Sequence, residues 1–277
     1  MTTSAQLRET VGINRSKAPF EEVYFDVQAE IDLTKHPGGI DATDDLVALC
    51  DIDATDWVLD VGCGVGMTPV YIAKKTGCRV TALDLRMPMI QRAVERATRE
   101  KMGGQITFIV ADACHLPFAE ESFDVVMAES LFALIENQAG AMAEAVRVTK
   151  QEGAVGIAET IWWKTPTAEL MTHLTQNFGR MIHVHFPVEW VQLLLSAGLH
   201  DIKEHNFPIN LRSESVSRVQ RMGLRHVLRV WRRFFRLVFT QPKYRRFLKE
   251  AISEPVELMR YWGYGVYVGK KVTDQRN

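Results

Sequence analysis

The sequence predicts an α/β fold built on a mostly parallel sheet with helices on both faces. Short apolar strands alternate with helical patterns over residues 57–207. One of these strands, Trp57-Val58-Leu59-Asp60-Val61, runs directly into three glycines at alternate positions, Gly62, Gly64 and Gly66. A helix-compatible pattern starts immediately after them. A strand, a turn too tight for side chains and a helix start together make a nucleotide-type binding site.

Each element follows from local chemistry. Residues 67–76 have helical apolar spacing and stop at Gly77, a natural C-terminal cap. Residues 79–83 read as a second strand ending at Asp84, 18 positions after Gly66. A carboxylate at that place can accept hydrogen bonds from two vicinal ribose hydroxyls. It can equally serve as the N-terminal acid of the helix over residues 87–101. That helix stops at Gly103-Gly104. A third strand, residues 106–110, runs into Ala111-Asp112-Ala113. Residues 123–128 form a fourth strand, followed by Glu129. Residues 139–149 form an amphipathic helix, Gly153 breaks it, and residues 154–158 form the fifth strand. A helix over residues 188–197 is closed by Gly198. Residues 202–207 and 264–272 supply strands six and seven. Asp60, Gly62, Gly64, Asp84, Asp112 and Glu129 are then all expected at the carboxyl-end rim of the sheet.

The glycine spacing separates this site from a dinucleotide site, which requires G-x-G-x-x-G. Here an acid, Asp60, precedes G-x-G-x-G. That pattern resembles the first motif of the class I S-adenosylmethionine (SAM)-dependent methyltransferases. The stretch Asp112-Ala113-Cys114-His115-Leu116-Pro117-Phe118, followed by Ser122-Phe123-Asp124, resembles the type 11 subgroup. The resemblance implies a Rossmann-like seven-stranded sheet whose last strand is antiparallel. It implies SAM as cofactor and S-adenosylhomocysteine as product. The glycine turn, with Gly66, would curl around the methionine part and ribose. Asp84 and neighbouring Leu85 would bind at the ribose, and Asp112 with the Ala113 amide at the adenine. Glu129 would lie beneath the transferred methyl group.

Composition restricts the alternatives. The 277 residues are 47% hydrophobic, and no apolar run approaches the roughly 20 residues a bilayer span requires. The N-terminus is polar and lacks a signal-peptide pattern. Cys50, Cys63, Cys78 and Cys114 show no C-x-x-C spacing, so neither a disulfide scaffold nor a metal site is expected, and a cytoplasmic location is. With Cys63 inside the glycine turn and Cys114 beside Asp112, the thiol set of arsenite methyltransferases is also disfavoured. The formal net charge is −1, but residues 212–249 hold twelve Arg and Lys against one acid, Glu214. Such asymmetry signals an anionic partner.

The expected organisation is an N-terminal helical lid over residues 1–50, a SAM-binding core over 51–211, a basic helical cap over 212–260, and a final strand with its tail over 261–277. The lid carries a helix over residues 20–33 with Tyr24, then His36 ahead of Pro37-Gly38-Gly39, and a helix over residues 43–49. In similar methyltransferases such residues cover bound SAM; otherwise His36 is a turn residue. Some fifty residues separate strands six and seven, far longer than a hairpin connection. Within them Arg218, Arg221, Arg225, Arg229, Arg232 and Arg236 recur every three or four positions, with apolar residues between. This basic amphipathic helix can lie on an anionic membrane, giving peripheral attachment, or act as an ordinary cap with a solvated face. Nucleic acid is disfavoured, because the aromatics are expected opposite the arginines rather than among them.

SAM carries an activated methyl, so an in-line displacement requires mainly alignment and exclusion of water. A hydroxyl or protonated amine acceptor also calls for a general base. His183 and His185 are the candidates, with His173 and His36 behind them. Glu159, expected at the end of strand five, can orient an amine, and Trp162 and Trp163 can contact a cation or pack in the core. The expected function is methylation of a small, hydrophobic or lipid-like acceptor. The alternatives are a non-catalytic SAM- or nucleotide-binding module docking on a membrane or partner, and a nucleic-acid methyltransferase.

Overall fold

A computed structural model describes residues 19–32, 36–168, 170, 183–209, 224–242, 244–245 and 260–272. His173, Arg218 and Arg221 lie outside the described residues. In chain order the elements are α1 (Pro19–Ile31), α2 (Gly39–Cys50), β1 (Trp57–Val61), α3 (Met67–Thr76), β2 (Arg79–Asp84), α4 (Met87–Arg99), β3 (Ile106–Val110) and β4 (Phe123–Glu129). A 3-10 turn (Phe132–Leu134) follows, then α5 (Gln138–Val148), β5 (Thr149–Trp162), α6 (Pro187–Ser196), β6 (Leu199–Pro208), α7 (Leu224–Thr240) and β7 (Trp262–Lys271).

The seven strands form one sheet in the order β3-β2-β1-β4-β5-β7-β6. β1 pairs in parallel with β2 and β4, and β4 with β5, while β7 runs antiparallel between β5 and β6. The expected Rossmann-like sheet with an antiparallel last strand is therefore present. β1 lies at the centre and is buried on both faces, which is why its sequence is a nearly continuous apolar run.

Alternate residues along each strand feed opposite layers. Val58, Val125 and Met127 pack with Leu46 and Val47 of α2, Ile72 of α3 and Ile90 of α4. Leu59, Val126 and Ala128 pack with Met142 of α5 and with Trp190 and Leu194 of α6. The sheet thus has α2, α3 and α4 on one face and α5 and α6 on the other.

Strand five departs from expectation. It spans 14 residues rather than beginning at 154, and Gly153 lies inside it. The register between β4 and β5 shifts between Phe123 and Val125, so residues 150–153 form an irregularity rather than a break. A Cβ at Gly153 would lie 2.6 Å from the Asp124 carbonyl oxygen, so the glycine permits close strand approach. The far end of β5 is also longer. It continues past Glu159, which pairs with Gly265, to Trp162, which pairs with Trp262.

Between β6 and β7 stands the expected inserted helix, α7. It packs on α1, where Val230, Phe234 and Leu237 meet Val23, Val27 and Ile31. Helix α1 in turn places Phe25 and Ala29 on Val65 of the glycine turn and Met89 of α4.

Candidate functional site

The turn after β1 is held in a conformation that favours glycine. Gly62, Gly64 and Gly66 have φ of 80°, 54° and 77°. The amides of Gly62 and Cys63 both donate to the Leu83 carbonyl at 2.8 Å, which ties the turn to the end of β2. A Cβ at Gly62 would meet the Leu131 side chain at 2.8 Å. One at Gly66 would meet Cβ of Ala93 at 2.8 Å and its Cα at 2.9 Å, driving α4 away.

Three carboxylates gather at this edge. Asp84 accepts from the Gly64 amide at 3.0 Å and from the Arg86 amide at 2.9 Å. Burial raises its pKa, while those two N–H groups and the Arg86 charge oppose the rise. Leu85, beside it, is exposed. Asp60 is fully buried at the end of β1, and its Oδ2 has no hydrogen-bond partner. Burial pushes its pKa well up, and the charges of Glu129 and Asp84 push it further.

The third acid, Glu129, is the focus of a polar cluster. Thr43 of α2 donates to its Oε1 at 2.7 Å, and Thr68 of α3 to its Oε2 at 2.5 Å. His36 Nε2 stands 3.6 Å from the same Oε2, and its Nδ1 is buried without a hydrogen-bond partner. His36 and Glu129 are thus brought together. Tyr24, on α1, makes an edge-on contact with Phe25, whose ring lies under the Arg86 guanidinium.

Beyond β3, Asp112 shapes its own loop. Its Oδ1 accepts from the Cys114 amide at 2.9 Å, and its Oδ2 lies 3.5 Å from His115 Nδ1. Ala113, next in sequence, is partly buried against the α5 layer.

The three candidate catalytic residues stand elsewhere. Glu159 is buried, and its carboxylate accepts from the amides of Leu131 at 2.9 Å, Phe132 at 2.7 Å and Ala133 at 3.4 Å. It therefore caps the 3-10 turn after β4. Burial pushes its pKa up to about 7 against those three N–H donors. His185 Nε2 pairs with Gln138 Oε1 at 2.8 Å, its Nδ1 lies 3.7 Å from Glu189, and its ring packs edge-on against Trp190. Burial lowers its pKa, with Glu189 opposing. The His183 amide donates to the Ala133 carbonyl at 2.7 Å, placing that residue beside the same 3-10 turn. Trp162 is buried and Trp163 exposed.

Residues 59–157 match the family model of the type 11 methyltransferase domain. Methyltransferase GfsG of Streptomyces halstedii is 34% identical over 119 residues, 43% of each chain. Residues 59–157 thus form a methyltransferase domain of the type 11, SAM-dependent kind. Phosphoethanolamine N-methyltransferase 1 of Triticum aestivum is 28% identical over 70% of this chain and 36% of the relative. The chain thus spans less than half the length of these curated relatives. Among solved structures, a Haemonchus contortus phosphoethanolamine N-methyltransferase 2 superposes with a TM-score of 0.67 at 18% identity, covering 99% of this chain and 61% of the other. The [4+2]-cyclase SpnF superposes at 0.70 with 16% identity, covering 95% and 99%. At these identities the structures share the fold.

Several residues of this candidate site were not legible in the sequence. Thr43 and Thr68 are ordinary helix residues until the fold brings them to Glu129. Asp32 and Arg96 are 64 positions apart, and only the tertiary structure makes them partners. Among the described residues no cluster of His, Cys, Asp and Glu could hold a metal ion.

Proposed function

We propose that the methyltransferase transfers a methyl group from SAM to a small, hydrophobic or lipid-like acceptor by in-line displacement. The observation that carries the reading is the Asp84 carboxylate, bonded to the Gly64 amide at 3.0 Å inside a glycine turn that has no room for a Cβ at Gly62 or Gly66. The fit to SAM is chemical. The backbone cradle is closed to side chains, and buried polar atoms on Asp60 and His36 lack partners.

SAM, when bound, supplies a methyl group activated on a sulfonium. In this reading Asp84 takes the ribose hydroxyls, with Leu85 beside it, and Asp112 and the Ala113 amide take the adenine. Gly62, Gly64 and Gly66 allow the backbone to approach the methionine part, with Asp60 beneath. Glu129 and His36 close the methyl side, and Tyr24 belongs to the lid over it. His183 and His185 are the proposed proton acceptors. Burial lowers the His185 pKa and so favours the neutral form that a base requires. Glu159 acts by positioning the turn after β4, since its oxygens already hold three amides. A hydrophobic acceptor agrees with the similarity to a sterol 24-C-methyltransferase of Gibberella zeae, 37% identical over 102 residues. Segment 212–249 would cap the site and present its basic surface to an anionic membrane.

Calorimetry with SAM and S-adenosylhomocysteine tests the premise. Wild type should bind both and Asp84→Ala neither; no heat from wild type with either would overturn it. Transfer of labelled methyl from SAM into a metabolite extract would then identify the acceptor. Binding without turnover would favour the second reading, a SAM-binding module.

A further inference from the structure

Helix α7 has one broad apolar face, and among the described residues only part of it is covered inside the fold. Val230, Phe234 and Leu237 pack on α1. Leu228, Trp231, Phe235 and Phe239, spaced three and four apart, form a second stripe with exposures of 60%, 52%, 49% and 76%. Trp231 stacks on Phe235 with centroids 5.5 Å apart, and Phe235 on Phe239 at 6.4 Å. Arg232 and Arg236 are exposed along one side of this stripe. Arg233 instead turns inward, 3.6 Å from Asp32. The expected single apolar face is therefore covered on one side only, where Phe234 touches both Trp231 and Phe235, and its uncovered edge borders the arginines.

We propose that the Leu228–Trp231–Phe235–Phe239 stripe inserts into the apolar layer of an anionic lipid bilayer while Arg232 and Arg236 meet its headgroups. This rests on the reading of segment 212–249 as a membrane-facing cap and specifies how it engages. Charge selects the occupant. The twelve basic residues of 212–249 against one acid demand an anionic surface, and four contiguous apolar side chains demand an apolar interior beside it. A second copy would set two strongly cationic segments against each other. Nucleic acid would require free ring faces, whereas these rings stack on one another. Because the adjoining stripe of α7 rests on α1, the inserted residues would set the α1 side of the site at the membrane surface, where an apolar acceptor is dissolved.

Vesicles of phosphatidylglycerol with phosphatidylcholine, of phosphatidylcholine alone, and of phosphatidylglycerol with acyl-brominated phosphatidylcholine provide the test. Wild type should sediment with the anionic vesicles, and its tryptophan fluorescence should be partly quenched by bromine. Trp231→Phe should sediment equally but lose that quenching. The triple variant Trp231→Ser, Phe235→Ser, Phe239→Ser should partition about tenfold more weakly. Arg232→Glu with Arg236→Glu should lose the preference for anionic vesicles. Sedimentation without bromine quenching would overturn insertion and leave surface contact standing, whereas no sedimentation would overturn both. A vesicle-free dimer abolished by the triple variant would assign the stripe to a second copy and also overturn the proposal. Calorimetry with SAM, run on every variant, separates these outcomes from misfolding and from failure of the enzymatic reading.

Discussion

Arg96 and Asp32 form a buried ion pair, with Nη2 2.7 Å from Oδ1, and the same guanidinium donates from Nε to the Val65 carbonyl at 2.9 Å. Val65 lies inside the glycine turn and Asp32 directly after α1. Arg99 of α4, at 3.4 Å, and Arg233 of α7, at 3.6 Å, reach the other oxygen of Asp32. One carboxylate thus joins α1, α4, α7 and the wall of the glycine turn.

Replacing Asp32 by Ala should therefore do more than remove a surface pair. It leaves a buried guanidinium uncompensated, a loss of about 3–5 kcal/mol. Thermal unfolding should show the lowered stability, and calorimetry should show SAM binding weakened by about tenfold or more as the turn loosens. Unchanged affinity in the folded variant would confine Asp32 to stability.

Gly66→Ala combines a left-handed backbone with a collision. The conformation alone costs about 1–2 kcal/mol, and the contact with Ala93 adds the displacement of α4. Gly39→Ala is the control, because φ there is also positive at 52° but nothing lies within 4 Å of the added Cβ. Denaturant unfolding should show a clearly larger loss for Gly66→Ala. Equal losses would mean that α4 yields freely.

Glu159 makes a prediction about pH. Its folded pKa of about 7 lies above its ordinary value of 4.5, so the folded state binds the extra proton between these limits. The stabilisation is fully present below 4.5 and is lost as pH rises through 7, by about 3 kcal/mol from a shift of this size. Glu159→Gln removes that titration. Its stability relative to wild type should rise from pH 4.5 to pH 8, measured as the difference in unfolding free energy. A difference independent of pH would show that Glu159 is ionised throughout.

Thr68 and Glu129 should be energetically coupled. Thr68→Val removes one hydroxyl donor from a nearly buried carboxylate, and Glu129→Gln removes the charge it serves. A double-mutant cycle should return a coupling of about 1 kcal/mol or more. Simple additivity would mean that the hydroxyl contributes little.

Much of the site was legible because its residues obey local rules. The alternate glycines require left-handed backbone whatever surrounds them, and Asp84 and Asp112 sit where strands end. The His36–Glu129 contact had no such signal. Strand five was misjudged because Gly153 ordinarily punctuates a chain, whereas here it allows β5 to approach β4 through an irregular register. Glu159 resembled a free carboxylate at a strand end, but pairing with β7 extends the strand past it and leaves the acid facing three amides.

By itself the sequence determined the alternation of strands and helices, the glycine turn and the family resemblance, because backbone conformation and hydrophobic period are properties of neighbouring residues. The tertiary structure alone decided which distant polar groups meet, as Asp32 meets Arg96 and Thr43 meets Glu129. It alone divided the apolar face of α7 into a covered part and an exposed aromatic one. Periodicity identifies an apolar side chain but not its partner, and which face is covered depends on the element that the fold places against it.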